Sequence, residues 1–312
     1  MQWFKFERQF RFVEHRRRAF LVSAALILAT LVSVGVQGLR LGIDFTGGYL
    51  IEVGFPQDVE LQPIRDALDE AGFADAQVQH FGALDDVLVR VAPQGETSSA
   101  ALSDEVLRLL DDTFEFGSEL RRVEFVGPQV GAELRDQGGL AMLIALLMIL
   151  AYVAFRFEKR FAVGAVAALV HDVVIVVGIF SLFQIEFDLP VLGALLAVIG
   201  YSLNDTIVVF DRLRENFRRQ RRGSVEEITD ASVNQMIPRT LMTSITTLLV
   251  LLSLLFLGGE TIYGFALALT VGVVIGTYSS VFVASTLLLA MGLSREDMLP
   301  VEKEGAEADA RP

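Results

Sequence analysis

Six stretches of the chain, 19–39, 138–155, 161–183, 189–210, 237–257 and 262–292, are apolar over lengths that suit a bilayer rather than water. A helix needs about 20 mainly apolar residues to cross a hydrocarbon layer roughly 30 Å thick. Within that layer every backbone polar group must be paired inside the protein. The expected fold is therefore a polytopic α-helical membrane protein with six transmembrane helices. Hydrophobic residues make up 53% of 312, a share that excludes disorder, a collagen-like rod and an ordinary soluble enzyme. With no cysteine and only His15, His80 and His171, thiolate or histidine metal sites and a cysteine nucleophile are not expected. No nucleophile–base pair or phosphate loop stands out, so neither enzymatic activity nor an organic cofactor is expected.

The net charge of −13 is an average over unlike segments. Residues 1–40 carry 7 basic and 2 acidic groups, 41–135 carry 6 and 19, 136–294 carry 10 and 12, and 295–312 carry 3 and 6. No nucleic-acid partner is implied. Basic residues cluster before the first span, at 156–160 and at 212–222, and are absent from 184–188 and 258–261. By the positive-inside rule both termini and the basic loops are cytoplasmic, and 40–135 lies on the far side. The first span could be a cleaved leader, but its long apolar core favours an anchor. Trp3, Phe6, Phe10 and Val13 repeat at near-helical spacing in the basic segment 1–18. They fit an interfacial helix or a frayed tail equally well. An acidic cytoplasmic tail, 294–312, closes the chain.

The block 40–135 reads as alternating elements: a strand over 43–55 interrupted at Gly47 and Gly48, a helix over 58–72, and strands at 76–81 and 86–91. A helix over 97–116 and a strand at 119–126 complete it. Leu61, Ile64 and Leu68, then Leu102, Val106, Leu109 and Leu110, supply the helical spacing. The order βαββαβ is the ferredoxin-like α+β plan, which specifies no function.

The informative residues lie where polarity is costly. Residues 189–204 give only about 24 Å of helix, so the fourth span must carry Asp205 into the membrane. Residues 241–257 give about 25 Å, which draws Arg239 and Thr240 into the fifth, with Pro238 fitting its first turn. The two helices run in opposite directions, so Asp205 and Arg239 reach similar depth. Thr240, Thr243, Ser244 and Thr247 form a polar stripe, and Tyr201 lies one turn above Asp205. An acid at mid-bilayer costs ~2.5–3.5 kcal/mol on insertion scales. It is expected to face a partner or a wet path. A proton or ion path is favoured over a fixed Asp205–Arg239 pair, and Arg239 could also snorkel. His171 and Asp172 read best as a local hydrogen-bonded pair, and Asp211 as an interfacial charge. Gly264, Ala268, Gly272, Gly276 and Ser280, and Gly164 with Ala168, are small-residue stripes whose commonest use is close helix packing.

Together these residues resemble the SecF family, the membrane subunits that pair with SecD beside the bacterial protein-translocation channel. The resemblance rests on GIDFTGG at 42–48, VGP at 126–128, FRF at 155–157, His171-Asp172, IGYSLNDTIVVFDR at 199–212, Asn234 and Arg239-Thr240. It implies half of a resistance–nodulation–division architecture in the bacterial inner membrane. It also implies an accessory role in export, where the proton-motive force drives late, ATP-independent steps. Carried over by position, Asp205 and Arg239 match the family's proton-pathway acid and arginine. Tyr201, Thr240, Thr243, Thr247 and Asp172, from the polar positions read above, are the candidate supports of that path. Gly42, Asp44, Phe45, Gly47, Gly48, Gly127 and Pro128 form its structural motifs. The implied partners are SecD, the SecY/SecE/SecG channel, YajC, YidC, the unfolded translocating polypeptide and the bilayer. A passive scaffold between SecD and the channel, and half of a small-molecule exporter, are the competing readings. The coupling ion is expected to be the proton, with sodium as the alternative.

Overall fold

The computed structural model describes residues 10–73, 76–92, 99–114, 116–220 and 222–293. Its helices are α1 (Arg16–Gln37), the one-turn α2 (Ile43–Thr46), α3 (Leu61–Glu70), α4 (Ser99–Thr113), α5 (Pro128–Arg156), α6 (Lys159–Leu182), α7 (Leu189–Arg219), α8 (Val225–Leu257), α9 (Glu260–Ser279) and α10 (Ser285–Ala290). A π-helical segment, Ser280–Ala284, joins the last two into one rod. Six helical rods among the described residues are long and apolar enough to cross a membrane. The protein is a multi-pass membrane protein.

Strands β1 (Gly48–Gly54), β2 (Gln77–Phe81), β3 (Ala83–Val91) and β4 (Glu119–Val126) form one antiparallel sheet in the order β2-β3-β1-β4. With α3 and α4 this gives the expected βαββαβ order. Tyr49, Ile51 and Val53 alternate onto one face of β1, where Ile64 and Leu68 of α3 and Val106 and Leu110 of α4 cover them. Each such side chain contributes roughly 1.5–3 kcal/mol on burial. The expected strand over 43–55 is corrected: residues 43–46 form a helical turn and only the second half pairs. Gly47 at φ +72° and Gly48 at φ +129° supply the change of direction, a conformation that a side chain would strain.

The first rod is turned inside out relative to a soluble helix. Ala19, Ser23, Thr30 and Ser33 are buried, whereas Phe20, Leu21, Leu28, Leu31 and Val36 face outward. Lipid is as apolar as leucine, so helices associate through close approach and hydrogen bonds instead. Thr30 seats over Gly178, where a Cβ would come within 1.9 Å of its hydroxyl oxygen. The Ser33 and Ser181 hydroxyls meet at 2.8 Å. On α9, Gly272 and Gly276 seat against Val198 and Ser202 of α7, so that small-residue stripe serves packing within the bundle.

Two helices extend beyond their expected bounds. The fourth rod continues past 210 to Arg219, and the fifth begins at Val225 rather than 237. Pro238 therefore sits inside α8 and not in its first turn. The extension is amphipathic, which concealed it from a search for apolar runs. Ser224 and Glu227 cap it reciprocally, and its Ser232 accepts a 2.9 Å hydrogen bond from Asn216 of α7.

Candidate functional site

The site grows from two helix ends and one mid-helix acid. The chain leaves α1, pairs Leu41 with Phe187, and enters the 42–48 motif. The Gly42 amide donates to the Phe187 carbonyl at 2.8 Å. Asp44 then accepts from the Leu189 amide at 2.9 Å, and Asp188 accepts from Val191 at 2.8 Å. Both carboxylates thus cap the start of α7, where amide donors are otherwise orphaned and the helix dipole favours negative charge. A Cβ on Gly47 would lie 2.7 Å from Pro128 Cα, and one on Gly131 would lie 2.8 Å from the Gly47 nitrogen. The two glycine-bearing motifs therefore pack on each other. Phe45 is buried beside Phe187, and Gly127 is the residue before α5. Arg90 of β3 pairs with Glu186 and donates to the Leu41 carbonyl, fastening the sheet to the same junction. Asp188 is pushed up to about 6 by burial, helped by the neighbouring charges of Glu186 and Asp44 and opposed by the Val191 amide. Spacing alone did not disclose this double cap, although Asp188-Leu-Pro190 is a helix-start pattern that could have flagged it.

Asp205 lies sixteen residues into α7 from Leu189, about 24 Å along the helix. It is 3% exposed, and its Oδ2 has no hydrogen-bond partner among the described residues. The Asn204 side chain hydrogen-bonds the carboxylate and the Arg239 charge acts on it from a distance, but no ion pair within 4.0 Å joins Asp205 to Arg239 among the described residues. The Arg239 side chain is exposed on α8. The buried Thr240 hydroxyl beside it in sequence is also unpartnered among the described residues. Tyr201 donates to Ser244 at 3.4 Å, and Ser244 meets Thr277 of α9 at 2.7 Å.

The expected polar stripe on α8 divides. Thr240 and Ser244 point inward, while Thr243 is exposed and Thr247 half-buried. The hydroxyls of Thr243 and Thr247 donate to carbonyls of their own helix. At 3.6 residues per turn, positions 240 and 244 stay on one line while 243 falls to its side.

Asp172 is fully buried and accepts from Ser202 at 2.5 Å and from Ser279 at 2.7 Å, and its other oxygen meets His171 Nδ1 at 2.9 Å. Asp211 pairs with Arg156 at 3.4 Å. Asn234 exchanges two hydrogen bonds with the backbone of Phe10, and Val13 donates to Asp230. These bonds pin residues 10–13 onto α8. Trp3 and Phe6, and the tail 294–312, lie outside the described residues.

Six long apolar rods carrying a small antiparallel sheet domain, with two acids buried among the described residues, define a polytopic membrane protein. Residues 106–294 match the family described as protein export membrane protein SecD/SecF, C-terminal, and residues 32–59 match the SecD/SecF GG motif. The protein translocase subunit SecF of Vibrio alginolyticus is 50% identical, over 100% of this chain and 99% of its own length. That of Escherichia coli O157:H7 is 50% identical over 93% and 90%. The chain belongs to the SecF branch of the SecD/SecF family. The crystal structure of SecDF, a translocon-associated membrane protein from Thermus thermophilus, matches with a TM-score of 0.83 and 39% identity. A second SecDF structure, in a super-membrane-facing form, matches with a TM-score of 0.69 and 38% identity. This chain covers 92% and 93% of itself in those matches but only 39% of each SecDF chain.

Proposed function

We propose that this chain is an accessory subunit of the Sec export machinery that, with a SecD partner, uses the proton-motive force to promote late, ATP-independent steps of polypeptide translocation. Asp205 is the group that takes and releases the proton, and Arg239 is the cation that answers its charge. The observation that carries this reading is a buried carboxylate oxygen without a partner, on the helix whose first turn is capped by Asp44. One elementary charge moving through the field gains about 2.3 kcal/mol per 100 mV. That is enough to shift a packed helix between two arrangements of similar energy. A shift of α7 acts directly on the 42–48 motif, and through Arg90 on the sheet domain.

The basic clusters support an inner-membrane orientation with both termini cytoplasmic and the sheet domain outside. The exposed apolar faces of α5 and α8, including Leu143, Leu147, Leu249 and Val250, offer the area against which SecD would pack. SecY/SecE/SecG, YajC, YidC and the translocating polypeptide complete the proposed partners. The test is proton-gradient-dependent export of a preprotein by membrane vesicles carrying Asp205→Asn, with assembly checked by co-purification of SecD. Loss of the gradient's stimulation with assembly intact is expected. Undiminished stimulation would leave the chain a passive scaffold, and stimulation by a sodium gradient instead would replace the ion.

A further inference from the structure

His171 and Asp172 belong to a hydrogen-bonded row that the reading above does not use. Nδ1 of His171 meets Asp172 Oδ1 at 2.9 Å, and Nε2 meets Ser23 Oγ at 3.1 Å. Ser23 Oγ meets the Tyr278 phenol oxygen at 3.1 Å, and Tyr278 donates to the Ala19 carbonyl at 2.8 Å. Ser202 and Ser279 spend their hydroxyl hydrogens on Asp172 Oδ2, Ser279 sharing its own with the Gly276 carbonyl. The row from Asp172 to Ala19 therefore holds four contacts. A hydroxyl carries one hydrogen and a neutral imidazole carries one. Tyr278, Ser23 and a neutral His171 thus supply three hydrogens for four contacts. With a bare carboxylate, one contact sets lone pair against lone pair. One added proton completes the row: the ring and the carboxyl share a hydrogen, Nε2 donates to Ser23, Ser23 donates to Tyr278, and Tyr278 donates to Ala19. The same proton makes the pair net neutral, as burial at 4% and 0% side-chain exposure favours.

We propose that His171 and Asp172 form a second proton-binding site, holding one proton drawn from water, and that the occupied site latches α1 to α6 and α9. Ser23 and Ala19 belong to α1, the rod that leads into the sheet domain. Losing the proton strands one contact of the row and loosens that rod. From α1 the pair faces Ser23, with Arg16, Arg17 and Arg18 one to two turns nearer the helix start. From α7 it faces Ser202, with Asp205 one turn further along, and from α9 it faces Tyr278 and Ser279. The neighbouring part of α5 brings only apolar side chains such as Leu146 and Ile149. On α6 itself no other charge lies between Arg160 and Leu182. The inference stands apart from the role given to Asp205.

The test is solid-state NMR of ring-15N-histidine protein, full length and with its partner subunit, in lipid bilayers at pH 7. H171Q identifies the signal, since only two other histidines are present. A protonated Nε2 on His171 is expected, and an unprotonated one would overturn the proposal. D172N should abolish that proton. S23A, a small change that keeps the bundle folded even where D172N does not, should lower the fraction of rings with a protonated Nε2. An unchanged fraction in S23A would sink the proposal. Backbone hydrogen exchange over the first half of α1 should quicken several-fold in S23A, and equal protection would overturn the latch. D205N should leave the His171 signal as it is while ending gradient-stimulated export, so either reading can fail without the other.

Discussion

The two buried acids of this bundle sit on neighbouring helices and have opposite surroundings. Asp172 meets three side chains drawn from three helices, whereas one oxygen of Asp205 meets none. A saturated carboxylate stabilises the arrangement it is found in. An unsatisfied one costs free energy in that arrangement and lowers the barrier to leaving it. The contrast therefore separates a group that holds the bundle together from one that makes it responsive. Substituting each acid by alanine is the strongest way to break the comparison. Asp172→Ala should cost about 3 kcal/mol, because it strips the partner from Ser202 and from His171 Nδ1 and leaves Ser279 only the Gly276 carbonyl. Asp205→Ala should cost almost nothing in stability, yet end gradient-stimulated export. Thermal unfolding of the purified complex, read beside vesicle export, checks both. Equal destabilisation by the two would erase the distinction.

A smaller effect separates the hydroxyls of α8. Thr240 is buried without a partner, and Ser244 joins Tyr201 of α7 to Thr277 of α9. Thr240→Val keeps the shape and removes an unsatisfied group, so it should raise stability by about 1 kcal/mol. Ser244→Ala should lower it by about 1 kcal/mol. Opposite shifts in melting temperature are the expected result. If Thr240→Val destabilises, its hydroxyl has a partner that the isolated chain lacks.

Much of this was legible before any coordinates. Length and hydropathy disclose a spanning helix because the bilayer imposes one period and one thickness on every span. The strand at 119–126 has the same bounds in the structure, since a glycine and a proline follow it directly. Asp205 was visible because its neighbours are too few to cross without it. What stayed hidden was decided by partners distant in sequence. Asp44 reads as a polar residue at the start of a strand until α7 arrives 145 positions later to be capped by it. The 225–236 extension of α8 carries polar residues that look like a loop, and the Ser224–Glu227 cap together with packing against α7 holds them helical. Thr240 and Thr243 sit about 60° apart on a helical wheel, close enough to read as one stripe, and the neighbouring helices decide which one is buried.

The smallest effect lies at the junction outside the bilayer and depends on pH. Asp188 has its carboxyl pushed from 3.8 up to about 6, chiefly by burial. Between those values the folded protein holds a proton there that the unfolded chain has released. Stability contributed by this group is therefore full below about pH 4 and declines as pH rises towards 6. The group is partly solvated, so screening limits the change to roughly 1 kcal/mol. Asp188→Asn keeps an oxygen to accept from the Val191 amide and removes the titration. Melting curves of the purified complex between pH 4 and 7 should fall more steeply for the wild type than for Asp188→Asn. Parallel curves would mean that Asp188 is charged in both states, and that the negative charge set by Asp44, Glu186 and Asp188 around the first turn of α7 is balanced by a cation at this junction.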